Sequence, residues 1–204
     1  MIISIGNQKG GVGKTTLCIL LANYLATTNK DLLVVDFDFQ TSFYSLWEEQ
    51  KNLVENEPPY EVIAKDLKDS KEVVEMAKQL KDVIFILDLP GKIDDDNLYP
   101  LYQNTDLLII PFAYDKIVFE STLLFIQMMK HLKSDIKMLF IPNRIKSSAK
   151  FKTQNQINEV FSGFGTVLPK ITERVCFQRL SVFENTSEME SIVEKTFIEL
   201  TQKI

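Results

Sequence analysis

A glycine-rich turn that carries two lysines and two threonines has the clearest chemistry in this sequence. It consists of Lys9-Gly10-Gly11-Val12-Gly13-Lys14-Thr15-Thr16. Glycines let backbone N–H groups surround an anion, because no Cβ blocks its approach. Lys14 can reach the β- and γ-phosphates of a nucleotide, and the Thr15 hydroxyl can bind a Mg²⁺ that bridges them. We therefore predict that residues 10–16 bind a nucleotide with Mg²⁺.

Acidic residues follow two apolar runs that are typical of buried parallel strands. Leu32-Leu33-Val34-Val35 precedes Asp36 and Asp38, and Val83-Ile84-Phe85-Ile86-Leu87 precedes Asp88. Acids at the carboxyl ends of such strands face the crevice in which open α/β sheets bind ligands. We expect Asp88 to hold Mg²⁺, since an apolar strand closed by an acid is the Walker B arrangement. Asp38 is a functional candidate, and Asp36 is expected to be partly structural.

The elements that must position these residues alternate between strands and helices. Strands are predicted at 1–5, 32–35, 60–64, 83–88, 107–111, 136–141 and 167–168, and helices at 17–26, 41–51, 70–80, 118–132, 147–161 and 187–203. Ser70 is the expected N-cap of its helix. This alternation predicts an α/β fold with a doubly wound, mostly parallel sheet flanked by helices, in a single domain over residues 1–204.

Composition favours an ordinary globular protein. The chain has 204 residues, of which 45% are hydrophobic and 25% charged. No apolar run approaches the roughly 20 residues of a membrane helix, and no secretory signal opens the sequence. The two cysteines, Cys18 and Cys176, lack metal-ligand spacing, and Cys18 lies within an apolar helix. We expect a cytoplasmic protein without a disulfide.

Charge is unevenly distributed along the chain. Residues 130–180 hold ten Lys and Arg against three Asp and Glu, a balance of +7, whereas the whole chain has a net charge of −5. Two interpretations stay open. The basic segment can present a positive face to a polyanion, or it can be a chance cluster on a solvated surface.

The glycine-rich turn resembles the deviant Walker A loop of the ParA/MinD family of ATPases, with Lys9 as the additional lysine. Asp36-Phe37-Asp38-Phe39-Gln40 is similar to that family's switch I motif, Asp-x-Asp-Pro-Gln, with Phe39 in place of proline. Leu89-Pro90-Gly91 resembles switch II. Later stretches extend the resemblance to small ParA-type, ParF-like partition proteins: Ile171-Thr172-Glu173-Arg174-Val175 and Ser181-Val182-Phe183-Glu184.

The resemblance implies a set of site residues. Asp38 would lie near the attacking water and Mg²⁺, and Asn143 and Arg144 would contact the adenine of ATP or ADP. The catalytic candidates are thus Lys9, Lys14 and Asp38, and the metal candidates are Thr15, Asp38 and Asp88. Because a loop that holds Lys14 gains little from a second cation, Lys9 is expected to reach the site of a partner subunit.

The resemblance also implies partners. The family forms an ATP-dependent homodimer that binds duplex DNA without sequence preference and associates with the nucleoid. A small centromere-binding, ParB-like protein stimulates its slow hydrolysis, and the cycle segregates plasmid or mobile-element DNA. The DNA contacts expected here are Lys146, Lys150, Lys152, Arg174 and Arg179. We do not expect an operator-reading helix-turn-helix before the phosphate loop, since few residues of this sequence precede that loop.

Four alternatives belong to other functional classes. A MinD-like positioning ATPase would need a basic membrane helix at its end, but Glu190, Glu194 and Glu199 offset Lys195 and Lys203. An electron carrier would need cysteines placed to share an iron–sulfur cluster. A small-molecule kinase or ligase would need an acceptor pocket that the sequence does not reveal. A scaffold that binds ATP without hydrolysing it would use nearly the same residues.

Overall fold

The computed structural model describes residues 1–28, 30–53, 57–146 and 153–204. Its core is one seven-stranded sheet in which every pairing is parallel. In chain order the strands are β1 (Ile2–Ile5), β2 (Leu32–Asp36), β3 (Glu61–Ala64), β4 (Ile84–Asp88), β5 (Leu107–Phe112), β6 (Lys137–Pro142) and β7 (Thr166–Val167). Across the sheet the order is β3-β2-β4-β1-β5-β6-β7, so β1 lies at the centre.

Seven α-helices connect or follow these strands in the described residues. They are α1 (Lys14–Ala26), α2 (Ser42–Leu53), α3 (Ser70–Gln79), α4 (Tyr99–Asn104), α5 (Lys116–Leu132), α6 (Gln154–Ser162) and α7 (Ser187–Thr201). Parallel neighbours require such crossovers, because a strand's end and the next strand's start lie at opposite edges of the sheet.

The helices cover both faces of the sheet and enclose two apolar cores. One core joins α1, α2 and α7, through side chains such as Leu21, Trp47 and Phe197. The other joins α3, α4, α5 and α6, through side chains such as Phe125 and Phe161. Strand residues alternate between the two, since successive side chains point to opposite faces. The apolar runs predicted as strands are therefore buried on both sides.

The predicted doubly wound α/β fold is confirmed, with all observed pairings parallel. Helix α4 was not predicted, and Ser70 is not an N-cap, because it is the first helical residue and Asp69 precedes it. The predicted helix at 147–161 is described only from residue 154 onward, since 147–152 lie outside the described residues.

The closing helix packs against the sheet, as predicted from its apolar stripe. Val193, Phe197 and Leu200 of α7 are all fully buried. Cys18 is likewise a buried core residue, and both cysteines are free thiols. Within the described ranges, we find no helix with the length and apolarity needed to span a bilayer.

Candidate nucleotide-binding site

The loop between β1 and α1 crosses the carboxyl edge of the sheet at its centre. Gly11 and Gly13 adopt left-handed backbone conformations, with φ of 77° and 85°. A Cβ on Gly13 would lie 2.6 Å from Asn143 Nδ2, so this position combines a demanding backbone angle with a close approach. Gly13 is also the N-cap of α1 and supplies no side-chain cap. The first-turn N–H groups of α1 are thus available to an anion.

Two side chains from the residues after β6 hold the loop from one side. Asn143 Nδ2 donates to the Val12 carbonyl at 2.9 Å, and Arg144 donates to the Gly11 carbonyl at 2.6 Å. Arg144 also forms an ion pair with Glu173 at 3.1 Å and adopts a φ of 56°. These contacts hold the carbonyls of Val12 and Gly11 in place and so restrict the conformation of the loop.

A cavity of about 490 Å³ opens over this loop. Its lining comes from three connections at the same edge of the sheet: Gly10, Gly11, Gly13, Lys14, Thr15, Thr16, Asp38, Phe39, Gln40 and Gly91. Lys14 is only 7% exposed, and burial lowers the pKa of its ammonium, although Asp88 and Asp38 oppose that effect. A buried cation in a cavity lined by backbone N–H groups suits a phosphate chain.

Asp88, at the end of β4, is fully buried; the Thr15 hydroxyl lies beside its carboxylate, but neither oxygen accepts a hydrogen bond of regular geometry from the described residues. Burial raises its pKa to about 7, while the nearby Thr15 hydroxyl and Lys14 act in the opposite direction. An orphaned buried carboxylate next to a threonine hydroxyl fits a hard divalent cation such as Mg²⁺. The described residues contain no cluster of three or more His, Cys, Asp or Glu that could hold a metal alone.

Asp36, at the end of β2, has the structural role that its position suggested. Its Oδ1 accepts the Asp38 N–H at 3.0 Å, and its Oδ2 accepts the N–H groups of Phe43 and Tyr44 at 3.0 and 3.1 Å. Burial raises its pKa, although these backbone donors counteract that effect. Asp36 therefore fixes both the loop after β2 and the start of α2.

The loop after β2 presents two very different side chains to the cavity. Asp38 is half-buried and accepts the Gln40 N–H through Oδ1 at 3.0 Å, while no donor within the described ranges bonds its other carboxylate oxygen. Phe39, which stands where the family motif has proline, is 98% exposed. Thr41 closes the loop with a φ of 45°, a strained value for a β-branched residue.

Lys9 is exposed at the start of the glycine-rich loop, in contrast to Lys14. Its backbone N–H donates to Asn7 Oδ1 at 3.2 Å. No ion pair among the described residues involves Lys9, so its charge is available to a group outside this chain. The two lysines of one loop thus differ in environment.

A second cavity of about 530 Å³ adjoins the first and shares Gly13 and Thr16 with it. The remaining lining residues come from α1, the end of β6 and the segment before α7: Leu20, Asn143, Arg144, Thr172, Glu173, Arg174, Val175, Phe177 and Gln178. Asn143 and Arg144, the residues predicted to contact the adenine, both line this second cavity, and their side chains also bond the carbonyls of Val12 and Gly11. Phe177 also lines this cavity and was not among the predicted site residues, because one isolated aromatic residue forms no distinctive pattern.

The predicted DNA contacts are partly described. Lys146, Arg174 and Arg179 are exposed, and none takes part in an ion pair among the described residues, whereas Lys150 and Lys152 lie outside those residues. A bridge between Ile145 and Thr172 brings the segments after β6 and β7 side by side.

The basic segment does not form a single face. Lys133 and Lys137 lie at the amino edge of the sheet, since α5 ends and β6 begins there. Lys146 follows the carboxyl end of β6, two residues after Arg144, which lines the second cavity. Only part of the +7 segment therefore lies near the site.

Comparison with protein families gives a match over residues 3–186 to the family described as the CobQ/CobB/MinD/ParA nucleotide binding domain. The chromosome-partitioning ATPase Soj of Thermus thermophilus is 60% identical over 38 residues, which are 19% of this chain. That match spans only 15% of the relative's length.

Solved structures share the whole fold at low identity. A putative plasmid partition protein of Borrelia burgdorferi, bound to AMPPNP, has a TM-score of 0.78 at 22% identity and covers 100% of this chain and 98% of its own. The pNOB8 ParA bound to nonspecific DNA has a TM-score of 0.67 at 16% identity, with 99% and 96% covered. At these identities the likeness supports the fold.

Proposed function

Because the chain belongs to the CobQ/CobB/MinD/ParA family of nucleotide-binding domains, we propose that it is a ParA-type ATPase. It dimerises on ATP, binds duplex DNA without reading its sequence, and hydrolyses ATP slowly to segregate plasmid or mobile-element DNA. The observation that carries this proposal is the pair of lysines on one phosphate loop. Lys14 is buried and lines the cavity, whereas Lys9 is exposed and has no ion-pair partner in the described chain.

Nucleotide binding follows from the loop and the helix behind it. The N–H groups of residues 10–16 and the Lys14 ammonium would hold the phosphates, and the adjoining cavity beside Asn143 and Arg144 would hold the adenine. Thr15, Asp38 and Asp88 would hold Mg²⁺, which neutralises phosphate charge when bound. The unpartnered oxygens of Asp88 support this assignment.

Hydrolysis requires a positioned water and compensation of the charge that develops on the phosphates. Asp38 would orient the water, since it lines the cavity and keeps one carboxylate oxygen free of the loop's own hydrogen bonds. Lys9 of a second copy would supply positive charge across the dimer interface, as an arginine finger does in other phosphoryl-transfer enzymes. Turnover would then depend on dimerisation.

DNA binding would use phosphate contacts from exposed cations in the segments that follow β6 and β7. Lys146, Arg174 and Arg179 are the described candidates. None of them belongs to an α-helix of the described chain, which favours backbone contacts over reading of base edges. A small ParB-like protein would accelerate hydrolysis and release the DNA, and the protein would associate with the nucleoid.

The proposal is tested by comparing the wild type with Lys9→Ala and Lys14→Ala. Multi-angle light scattering with Mg-ATP and Mg-ADP measures dimerisation, and phosphate release measures hydrolysis. We expect the wild type to dimerise with ATP only. Lys9→Ala should keep nucleotide binding but lose dimerisation or turnover, and Lys14→Ala should lose tight nucleotide binding.

Lys81→Ala serves as the matched control, because Lys81 is exposed just before β4, at the opposite edge of the sheet. It should behave as the wild type in both measurements. A Lys9→Ala protein with wild-type dimerisation and hydrolysis would contradict the proposed role of the second lysine.

A further inference from the structure

Asn7, between β1 and the glycine-rich loop, is a polar residue buried to 1% exposure. Its Nδ2 donates to the Pro111 carbonyl at 2.9 Å and to the Thr122 hydroxyl at 3.0 Å. Its Oδ1 accepts the backbone N–H of Lys9 at 3.2 Å. One amide thus joins the end of β5, the middle of α5 and the backbone of the exposed lysine.

The bonds around Asn7 fix its orientation. An amide offers two donor hydrogens and one acceptor oxygen, and here both ends are used. If the amide rotated, its NH₂ group would face the Lys9 N–H, and its oxygen would face the Pro111 carbonyl. Thr122 is fully buried in α5, so water cannot take the place of its hydroxyl as the acceptor for the Asn7 amide unless the structure opens locally.

The two ends of the phosphate loop are held by different residues. Asn143 and Arg144 bind the carbonyls of Val12 and Gly11, next to Lys14. At the other end, the Asn7 side chain binds the backbone of Lys9. Loss of the Asn7 network should therefore loosen Lys9 and leave the Lys14 end in place.

We propose that Asn7 is a positioning residue for Lys9 and that Thr122 acts through Asn7. The inference rests on the proposed role of Lys9 in the site of a second copy. A long lysine side chain reaches a fixed point in another subunit only if its backbone is held, and Gly10 beside it offers no conformational restraint.

The test uses Thr122→Val, which keeps the shape of the side chain and removes the hydroxyl. We expect the ATP dissociation constant to change by less than about twofold and kcat to fall about five- to tenfold. ATP-driven dimerisation should weaken in parallel. Thr122→Ser, which restores a hydroxyl, should recover both, and backbone amide exchange at Lys9 should be faster in Thr122→Val than in Thr122→Ser.

A double-mutant cycle with Lys9→Ala separates positioning from general destabilisation. Once Lys9 is removed, Thr122→Val should cause no further loss of turnover or dimerisation. If the losses caused by the two substitutions were additive, the positioning role alone would be overturned. The same would follow if Thr122→Val had wild-type kcat and dimerisation while Lys9→Ala was defective. A Lys9→Ala protein that matches the wild type would overturn both this inference and the proposed function of Lys9.

Discussion

Lys14 is a buried cation, and the nearby Asp88 and Asp38 only partly offset the cost of burying its charge. Burial lowers its pKa, and a bound phosphate would offset that cost. We predict that Lys14→Ala weakens Mg-ATP binding roughly 100-fold, as expected for the loss of charge-assisted hydrogen bonds. Calorimetric titration measures this, with Lys81→Ala as the control. Wild-type affinity for Mg-ATP in the Lys14 variant would show that this loop does not bind the phosphates.

Asp88 carries a second electrostatic cost, which should appear as a pH-dependent stability. Its pKa is about 7 in the folded protein, against an ordinary aspartate value of 3.8 that applies to the unfolded chain. Between these values the folded protein binds a proton that the unfolded chain releases. Stability therefore falls as pH rises through this window, and the full penalty is present above about pH 7.

We predict that Asp88→Asn stabilises the nucleotide-free protein in the absence of Mg²⁺. The gain should be on the order of 2–4 kcal/mol at about pH 8 and smaller at about pH 5. Denaturant unfolding at both pH values measures it, and Mg-ATP binding by the same variant should be weaker. An equal effect at both pH values would show that the carboxylate charge is not the cause.

At the scale of elements, the β2–α2 connection depends on one carboxylate. Asp36 accepts three backbone N–H groups, from Asp38, Phe43 and Tyr44. We predict that Asp36→Ala lowers the free energy of unfolding by roughly 2–4 kcal/mol, because buried donors lose their acceptor. Thermal or denaturant unfolding measures the change.

Asp115 offers a matched control for that prediction. It caps α5 by accepting the N–H groups of Ile117 and Val118 but is exposed to solvent. Asp115→Ala should cost only about 1 kcal/mol, since water can replace the lost acceptor. Equal costs for the two variants would contradict the structural role assigned to Asp36.

The sequence predicted the elements better than their arrangement. Long apolar runs identified the buried strands, because a strand covered on both faces must be apolar throughout. Helix α4 was not predicted, because it is only six residues long and contains Pro100, so its apolar residues show no helical spacing. The hydrogen bond from Asn143 to Val12 could not be predicted either, since it joins residues 131 positions apart in the sequence.

At the scale of the whole molecule, the sheet divides the basic segment between two edges. Lys146 lies on the carboxyl side and Lys137 on the amino side, although both belong to the same +7 stretch. We predict that Lys146→Ala weakens DNA binding similarly for all sequences and reduces the salt slope by about one unit. Lys137→Ala should leave both unchanged. Fluorescence anisotropy measures the affinities.

Lys146 is a cleaner probe than Arg174, because Arg174 also lines the cavity expected to hold the adenine. Changes at Arg174 could therefore alter nucleotide and DNA binding together. If Lys137→Ala and Lys146→Ala weakened DNA binding equally, the carboxyl-side surface would not be the DNA contact, and net charge alone would explain the effect.

The central claim is that ATP controls the binding of this protein to DNA. The most direct measurement is an anisotropy titration of a random-sequence duplex with the wild type in Mg-ATP and in Mg-ADP, at several salt concentrations. We predict tight binding with ATP only, and an affinity that falls steeply with salt, with a slope of about 0.9 per phosphate neutralised. Equal affinity in the two nucleotides, or no binding at low salt, would contradict the claim.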